Sequence, residues 1–301
     1  MKSAVIDLGT NTFHLIIADI PASGGTISVI YKTNVPVRLG QGRINEHMII
    51  PEAFERGIQT LKDFRAKIVW YQAEKVRAIA TSAVRSAVNG QEFAAAAAQE
   101  GIDIEVISGD EEAGYIYQGV KASGAIRGTS LIMDIGGGST EFIICNEAQL
   151  IWKKSYDIGA ARLMQAYFKS DPISMEEQMK IRIHLDGVLT DLKEACSIYR
   201  PDRLIGSAGA FETFATLLDT GLKPDEVVTT ELDLQAYAPL ASRLIRSTHQ
   251  ERADMKGLIP LRVDMIVIAA ILTDYVLEMI RPKSLHLSTY DLKMGVLYSF
   301  R

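Results

Sequence analysis

The chain has 301 residues, more than a single hydrophobic core usually sustains, so two domains are expected. Hydrophobic residues make up 48% and charged residues 23%, which excludes a disordered chain. A formal net charge of −5 argues against a generally basic nucleic-acid binder, and no nucleic-acid partner is expected.

Along the chain, Ala4-Val5-Ile6 leads into Asp7-Leu8-Gly9-Thr10-Asn11-Thr12 and then Leu15-Ile16-Ile17-Ala18, the pattern of strand, tight glycine turn and strand. Asp7 comes too early for a signal peptide. Residues 26–34 read as a third strand, 51–73 as an amphipathic helix opened by Pro51, and 74–80 as a short strand. Ala94–Ala98 is a helix-forming run, and 108–123 reads as a helix. Gly124 and Gly128 then bracket a polar stretch, which puts the domain boundary near 121–128.

The opening pattern then recurs. Leu131-Ile132-Met133 leads into Asp134-Ile135-Gly136-Gly137-Gly138-Ser139 and on to Phe142-Ile143-Ile144-Cys145. Beyond it, 158–169 and 174–199 read as helices, 203–205 as a strand, and 232–246 and 263–281 as helices. Strands interleaved with helices indicate α/β layers. The longest apolar run, Met265–Leu272, falls well short of the roughly 18 residues of a membrane span, so a cytoplasmic protein without a membrane partner is expected. Cys145 and Cys196 have no metal-ligand spacing and read as reduced thiols. A homodimer would be unsurprising for a chain with such apolar helices.

Each glycine turn carries an acid, exposed amides and hydroxyls. Consecutive amides make a concave anion site, and glycine lets the backbone approach closely. Gly9, Thr10, Asn11 and Thr12, with Gly136, Gly137, Gly138 and Ser139, therefore form a candidate phosphate-binding set. Asp7 and Asp134 would repel phosphate unless a cation lay between them. Hard carboxylate oxygens select magnesium, which keeps several waters and bridges to phosphate, and Glu141 adds a third acid. Two matching copies are expected to face one another across a cleft. In Ser108-Gly109-Asp110-Glu111-Glu112-Ala113, Ser108 and Glu111 have the spacing of a capping box, which leaves Glu112 without a capping role.

Five segments, taken jointly and in order, resemble the exopolyphosphatase and guanosine pentaphosphate phosphatase family of the actin-like superfamily. They are Asp7–Thr12, Ala80–Asn89, Ile107–Ala113, Asp134–Glu141 and Gly159-Ala160-Ala161-Arg162-Leu163. The resemblance implies an α/β fold with two actin-like (ribonuclease H-like) domains and a cleft between them. Residues 1–122 with a C-terminal helix near 290–301 would form one domain and 123–289 the other. It implies magnesium-dependent hydrolysis of terminal phosphate from inorganic polyphosphate or guanosine pentaphosphate. Glu112 matches the family's water-activating carboxylate and Arg85 its phosphate-contacting arginine. Arg38, Arg162 and Ser207 are further candidate substrate contacts, and Arg252, Lys256 and Arg262 a candidate basic track. A family motif of the form Gly-Thr-x-Gly-Thr reads Gly206-Ser207-Ala208-Gly209-Ala210 here, and Leu-Arg-Glu-Gly reads Leu292-Lys293-Met294-Gly295. The alternatives are a kinase of the same superfamily and a non-catalytic sensor of guanosine tetraphosphate or polyphosphate.

Overall fold

A computed structural model of the chain describes residues 1–21, 25–207, 209–219 and 221–300. Ala208, inside the second glycine motif, and Arg301, the end of the expected C-terminal helix, lie outside them. By contact density the chain divides into two compact units, Met1–Gly119 with Leu292–Arg301, and Val120–Asp291.

The first unit runs β1 (Lys2–Leu8), β2 (Phe13–Asp19), β3 (Ser28–Val35), α1 (Pro51–Trp70), β4 (Lys75–Ala80), α2 (Ser82–Ser86), α3 (Gly90–Gln99), β5 (Ile104–Val106) and α4 (Gly109–Ser123), the last crossing the division. The second runs β6 (Ser130–Ile135), β7 (Thr140–Cys145), β8 (Leu150–Tyr156), α5 (Ala160–Tyr167), α6 (Met175–Val188), α7 (Thr190–Tyr199) and β9 (Arg203–Ser207). It continues with α8 (Gly209–Leu218), β10 (Thr229–Leu232), α9 (Leu234–Arg246), α10 (His249–Ala253), α11 (Met265–Ile280) and β11 (Ser284–Ser288). A last helix, α12 (Leu292–Tyr298), returns to the first unit.

The sequence repeat reappears as repeated topology. The first sheet has the order β3-β2-β1-β4-β5, and the second β8-β7-β6-β9-β11 with β10 added at the edge. In both, a three-stranded antiparallel meander leads into parallel strands, as expected for ribonuclease H-like units. The central strands need apolar residues on both faces, and β1 supplies them. Ala4, Ile6 and Leu8 enter one core with Phe13, Leu15 and Phe93, while Val5 is buried on the opposite face. In the second unit α11 is apolar nearly all round, and every residue from Ile266 to Thr273 is buried. Among the described residues no helix is long and apolar enough to cross a membrane.

Two expected elements differ. The helix expected over 174–199 is two helices, because the chain turns at Leu189, whose side chain is fully buried. The helix expected from 232 starts at Leu234, where Asp233 caps it by accepting from the amides of Gln235 and Ala236, and the preceding residues form β10.

α12 sits on β1 and α4 through a glycine contact. A Cβ at Gly295 would lie 1.8 Å from the carbonyl oxygen of Tyr115, which belongs to α4 and cannot retreat without breaking that helix. Nearby, Arg77 Nη1 donates to Ser299 Oγ at 3.0 Å and Nη2 to Tyr115 Oη at 2.9 Å. Gly295→Ala is expected to lower stability by about 3 kcal/mol. Gly187→Ala, on α6 with open space around the added carbon, is expected to be neutral or to stabilise by about 0.5 kcal/mol. Urea unfolding of both variants beside the parent chain checks the contrast.

Candidate functional site

The first turn joins β1 to β2 with Gly9–Thr12. Gly9 donates its amide to the Thr12 carbonyl at 3.2 Å, and a Cβ at Gly9 would lie 2.9 Å from the same oxygen, so a side chain there would open the turn. The carbonyls behind the turn are tied back. Thr10 O accepts from Gly40 N at 3.0 Å and Asn11 O from Arg38 N at 2.7 Å. Arg38 holds a left-handed backbone (φ 52°) to make that bond, and its side chain is exposed.

The second turn repeats this construction. A Cβ at Gly136 would lie 2.9 Å from Ser139 O, the same clash at the same position. Here the first turn of α5 does the tying. Gly138 O accepts from Gly159 N at 3.3 Å, Gly136 O from Ala160 N at 2.9 Å, and Gly137 O from Ala161 N and Arg162 N at 2.9 and 3.1 Å. The amides at a helix start lack intrahelical acceptors, so the turn carbonyls satisfy them. These bonds engage carbonyls of the turn and none of its amides. Gly159 is fixed by crowding, since a Cβ would come within 2.4 Å of the Gly137 backbone. Arg162 is buried behind the turn, with Nε donating to Gly138 O at 3.0 Å and Nη2 lying 3.6 Å from Asp157 Oδ1. That answers the apparent misfit of a cation in the first turn of a helix. Its counterparts are a carbonyl and a carboxylate.

Strand register sets the acids. On β6, Asp134 lies opposite Glu141 of β7 and beside Ser207 of β9, and paired positions project to the same face. Glu141 is buried and accepts from Ser155 Oγ at 2.6 Å. Ser207 Oγ is buried with no hydrogen-bond partner among the described residues. The Arg262 guanidinium adjoins Gly209, stands 3.9 Å from Glu212 and feels Asp134. Desolvation lowers its pKa, against the pull of those two acids. In the first unit Asp7 faces His14 across the hairpin, and Lys293 Nζ of α12 lies 3.7 Å from its Oδ2.

The start of α4 divides its two glutamates as the sequence implies. Ser108 Oγ accepts from Glu111 N at 3.2 Å, while Glu111 Oε2 accepts from Ser108 N at 2.8 Å, which closes the capping box. Glu112 instead turns inward and is 8% exposed. Its Oε2 accepts from Arg85 Nη1 at 2.8 Å, and the same nitrogen donates to Ile107 O at 3.1 Å. Arg85 is thus a half-buried partner of Glu112 rather than a surface ion pair. Its Nε and Nη2 have no partner among the described residues. Burial raises the Glu112 pKa to about 7. Arg85 opposes the rise and the charge of Asp7 adds to it.

The structure therefore joins Arg85 to Glu112, brings Asp7 within electrostatic reach of Glu112, and aligns Asp134, Glu141 and Ser207 in one row. It removes Arg252 from any basic track. That side chain is 1% exposed, with Nε on Val263 O at 2.7 Å and Nη1 on Ser247 O. Lys293 was not singled out as a site residue from sequence. Only the departure from the family's Leu-Arg-Glu-Gly pointed to its segment. Among the described residues no three His, Cys, Asp or Glu side chains gather closely enough to hold an ion alone. Asp134 and Glu141, with the unsatisfied Ser207 hydroxyl beside them, instead fit a hard ion that takes one or two carboxylates and keeps waters and phosphate oxygens.

Comparison with known proteins agrees over the whole chain. It superposes on the crystal structure of an exopolyphosphatase from Cytophaga hutchinsonii with a TM-score of 0.96 and 37% identity, covering 100% of this chain and 97% of that one. Exopolyphosphatase 2 of Mycobacterium tuberculosis is 30% identical over 99% of this chain and 98% of its own length. A guanosine-5'-triphosphate,3'-diphosphate pyrophosphatase of Pseudoalteromonas atlantica is 38% identical over 58% of this chain and 34% of its own. The model of the Ppx/GppA phosphatase family matches residues 16–301, and the chain belongs to that family.

Proposed function

We propose that the protein hydrolyses the terminal phosphoanhydride bond of inorganic polyphosphate or guanosine pentaphosphate, releasing orthophosphate by direct attack of water. The observation that carries this reading is Glu112: a buried carboxylate with a pKa of about 7, anchored by an arginine whose Nε and Nη2 have no partner among the described residues. A base poised near neutral pH is what water activation needs.

In the reaction Glu112 takes a proton from a water whose oxygen attacks the terminal phosphorus. The bond from that phosphorus to the bridging oxygen breaks, and the shortened chain leaves with the electron pair. Arg85 holds Glu112 through Nη1 and offers Nε and Nη2 to phosphoryl oxygens, where charge develops. The amides of Thr10, Asn11 and Thr12, in the turn that the Gly9 amide closes, and those of Gly136–Ser139, with the hydroxyls of Thr10, Thr12 and Ser139, are proposed to hold the phosphate chain. Asp134 and Glu141, and in the first unit Asp7, are the residues that would hold magnesium. The chemistry supplied there by a bound magnesium ion would be neutralisation of phosphoryl oxygens. Arg38 and Ser207 are proposed as outer substrate contacts and Arg162 as the brace of the second turn. The protein is proposed to act in the cytoplasm, and as a homodimer.

Glu112→Gln is expected to cut phosphate release from polyphosphate about a thousandfold while substrate binding stays within a few-fold of the parent. Turnover near the parental rate in that variant would remove Glu112 as the base. The base acts ionised, so kcat/KM should rise with pH through a midpoint near 7. Arg85 favours the ionised form, so Arg85→Gln should move that midpoint upward, alongside a loss of rate. A pH–rate series on both proteins reads the shift, and a midpoint that stays in place contradicts the pairing.

A further inference from the structure

The C-terminal helix α12 lies against the two elements that carry Asp7 and Glu112. It packs along β1, and Gly295 fixes it to the backbone of Tyr115, one helical turn beyond Glu112 on α4. That docking brings Lys293 Nζ to 3.7 Å from Asp7 Oδ2, with both side chains largely buried, 18% and 15% exposed. Asp7 also shares its surroundings with a second acid, Glu112. A largely buried cation beside the Asp7 carboxylate does more than a surface lysine, because solvent screens it less.

We propose that Lys293 is a further residue of the phosphate site: its ammonium balances Asp7 in the metal-free protein, opposes entry of a bare divalent ion, and favours arrival of an anionic phosphate. This rests on the reading of Asp7 as a magnesium ligand given above. The physical basis is the sign of the charge. A fixed positive charge close to the carboxylate repels a divalent cation approaching it and attracts a phosphate oxygen at the same place. Lys293 therefore biases the site toward phosphate that arrives before, or together with, its counter-ion. Lysine suits this task because its compact ammonium sits on a flexible stem and can turn from carboxylate to phosphate.

The test is a pair of titrations on the whole protein. Mn2+ binding is followed by electron paramagnetic resonance without phosphate, and inorganic tripolyphosphate binding by calorimetry in excess EDTA. Lys293→Met should bind Mn2+ about tenfold more tightly and metal-free tripolyphosphate about tenfold more weakly. Lys293→Arg should keep both affinities near the parent. Lys293→Gln repeats the measurement if the methionine variant unfolds. If Lys293→Met leaves both affinities unchanged, or moves both in the same direction, the proposal falls. Asp7→Asn separates the two levels of inference. If it weakens Mn2+ binding while Lys293→Met changes nothing, Lys293 alone is misassigned. If it leaves Mn2+ binding intact, the reading of Asp7 fails, and the proposal for Lys293 with it.

Discussion

The architecture depends on how two glycine turns dispose of their carbonyl oxygens. A turn that presents amides to an anion also carries carbonyls that would repel it. In both hairpins those carbonyls are drawn backward, by the amides of residues 38 and 40 in one case and by the first turn of α5 in the other. The glycines permit the close approach, and the hydrogen bonds hold the carbonyls there. Arg162 strengthens the second arrangement by placing a cation behind Gly138. Its contribution to any ligand acts through the shape of the loop.

The second organising element is the pairing of Arg85 with Glu112. Burying a carboxylate alone is costly, and partial neutralisation by a guanidinium limits the cost. The compensation is incomplete, since burial and Asp7 still outweigh Arg85 and leave the acid with a pKa of about 7. A stronger partnership would yield a more stable carboxylate and, in the role proposed for Glu112, a poorer base. If Glu112 acts as proposed, this balance gives up stability for function, as active sites commonly do.

Much of this was legible in the sequence because it is written in local chemistry. Acid, glycine and hydroxyl stand within a few positions in each turn, and the repeat reveals itself by matching copies. The split between Glu111 and Glu112 followed from capping geometry. What escaped were relations whose partners leave no local trace. The bond from Arg162 ends on a backbone carbonyl, which every residue possesses. Lys293 meets Asp7 from the opposite end of the chain. The edge strands β8 and β10 lack an inward apolar face of any length, since β8 is only half-buried along most of its course and β10 buries only Leu232. The break at Leu189 is hinted at only by Gly187 and the β-branched Val188 and Thr190, set between longer helix-forming runs.

The return of α12 to the first unit bears on how the chain is made. Residues 1–119 are made before the second unit, yet the helix that completes their packing is made after it. The second unit is contiguous and has all its parts beforehand. A nascent chain must therefore hold the apolar surface beneath α12, including the contact at Tyr115, incomplete until synthesis has passed residue 298. Maturation of the Asp7 side therefore waits for residues 292–298, so a chain cut before them would lack Lys293 beside Asp7.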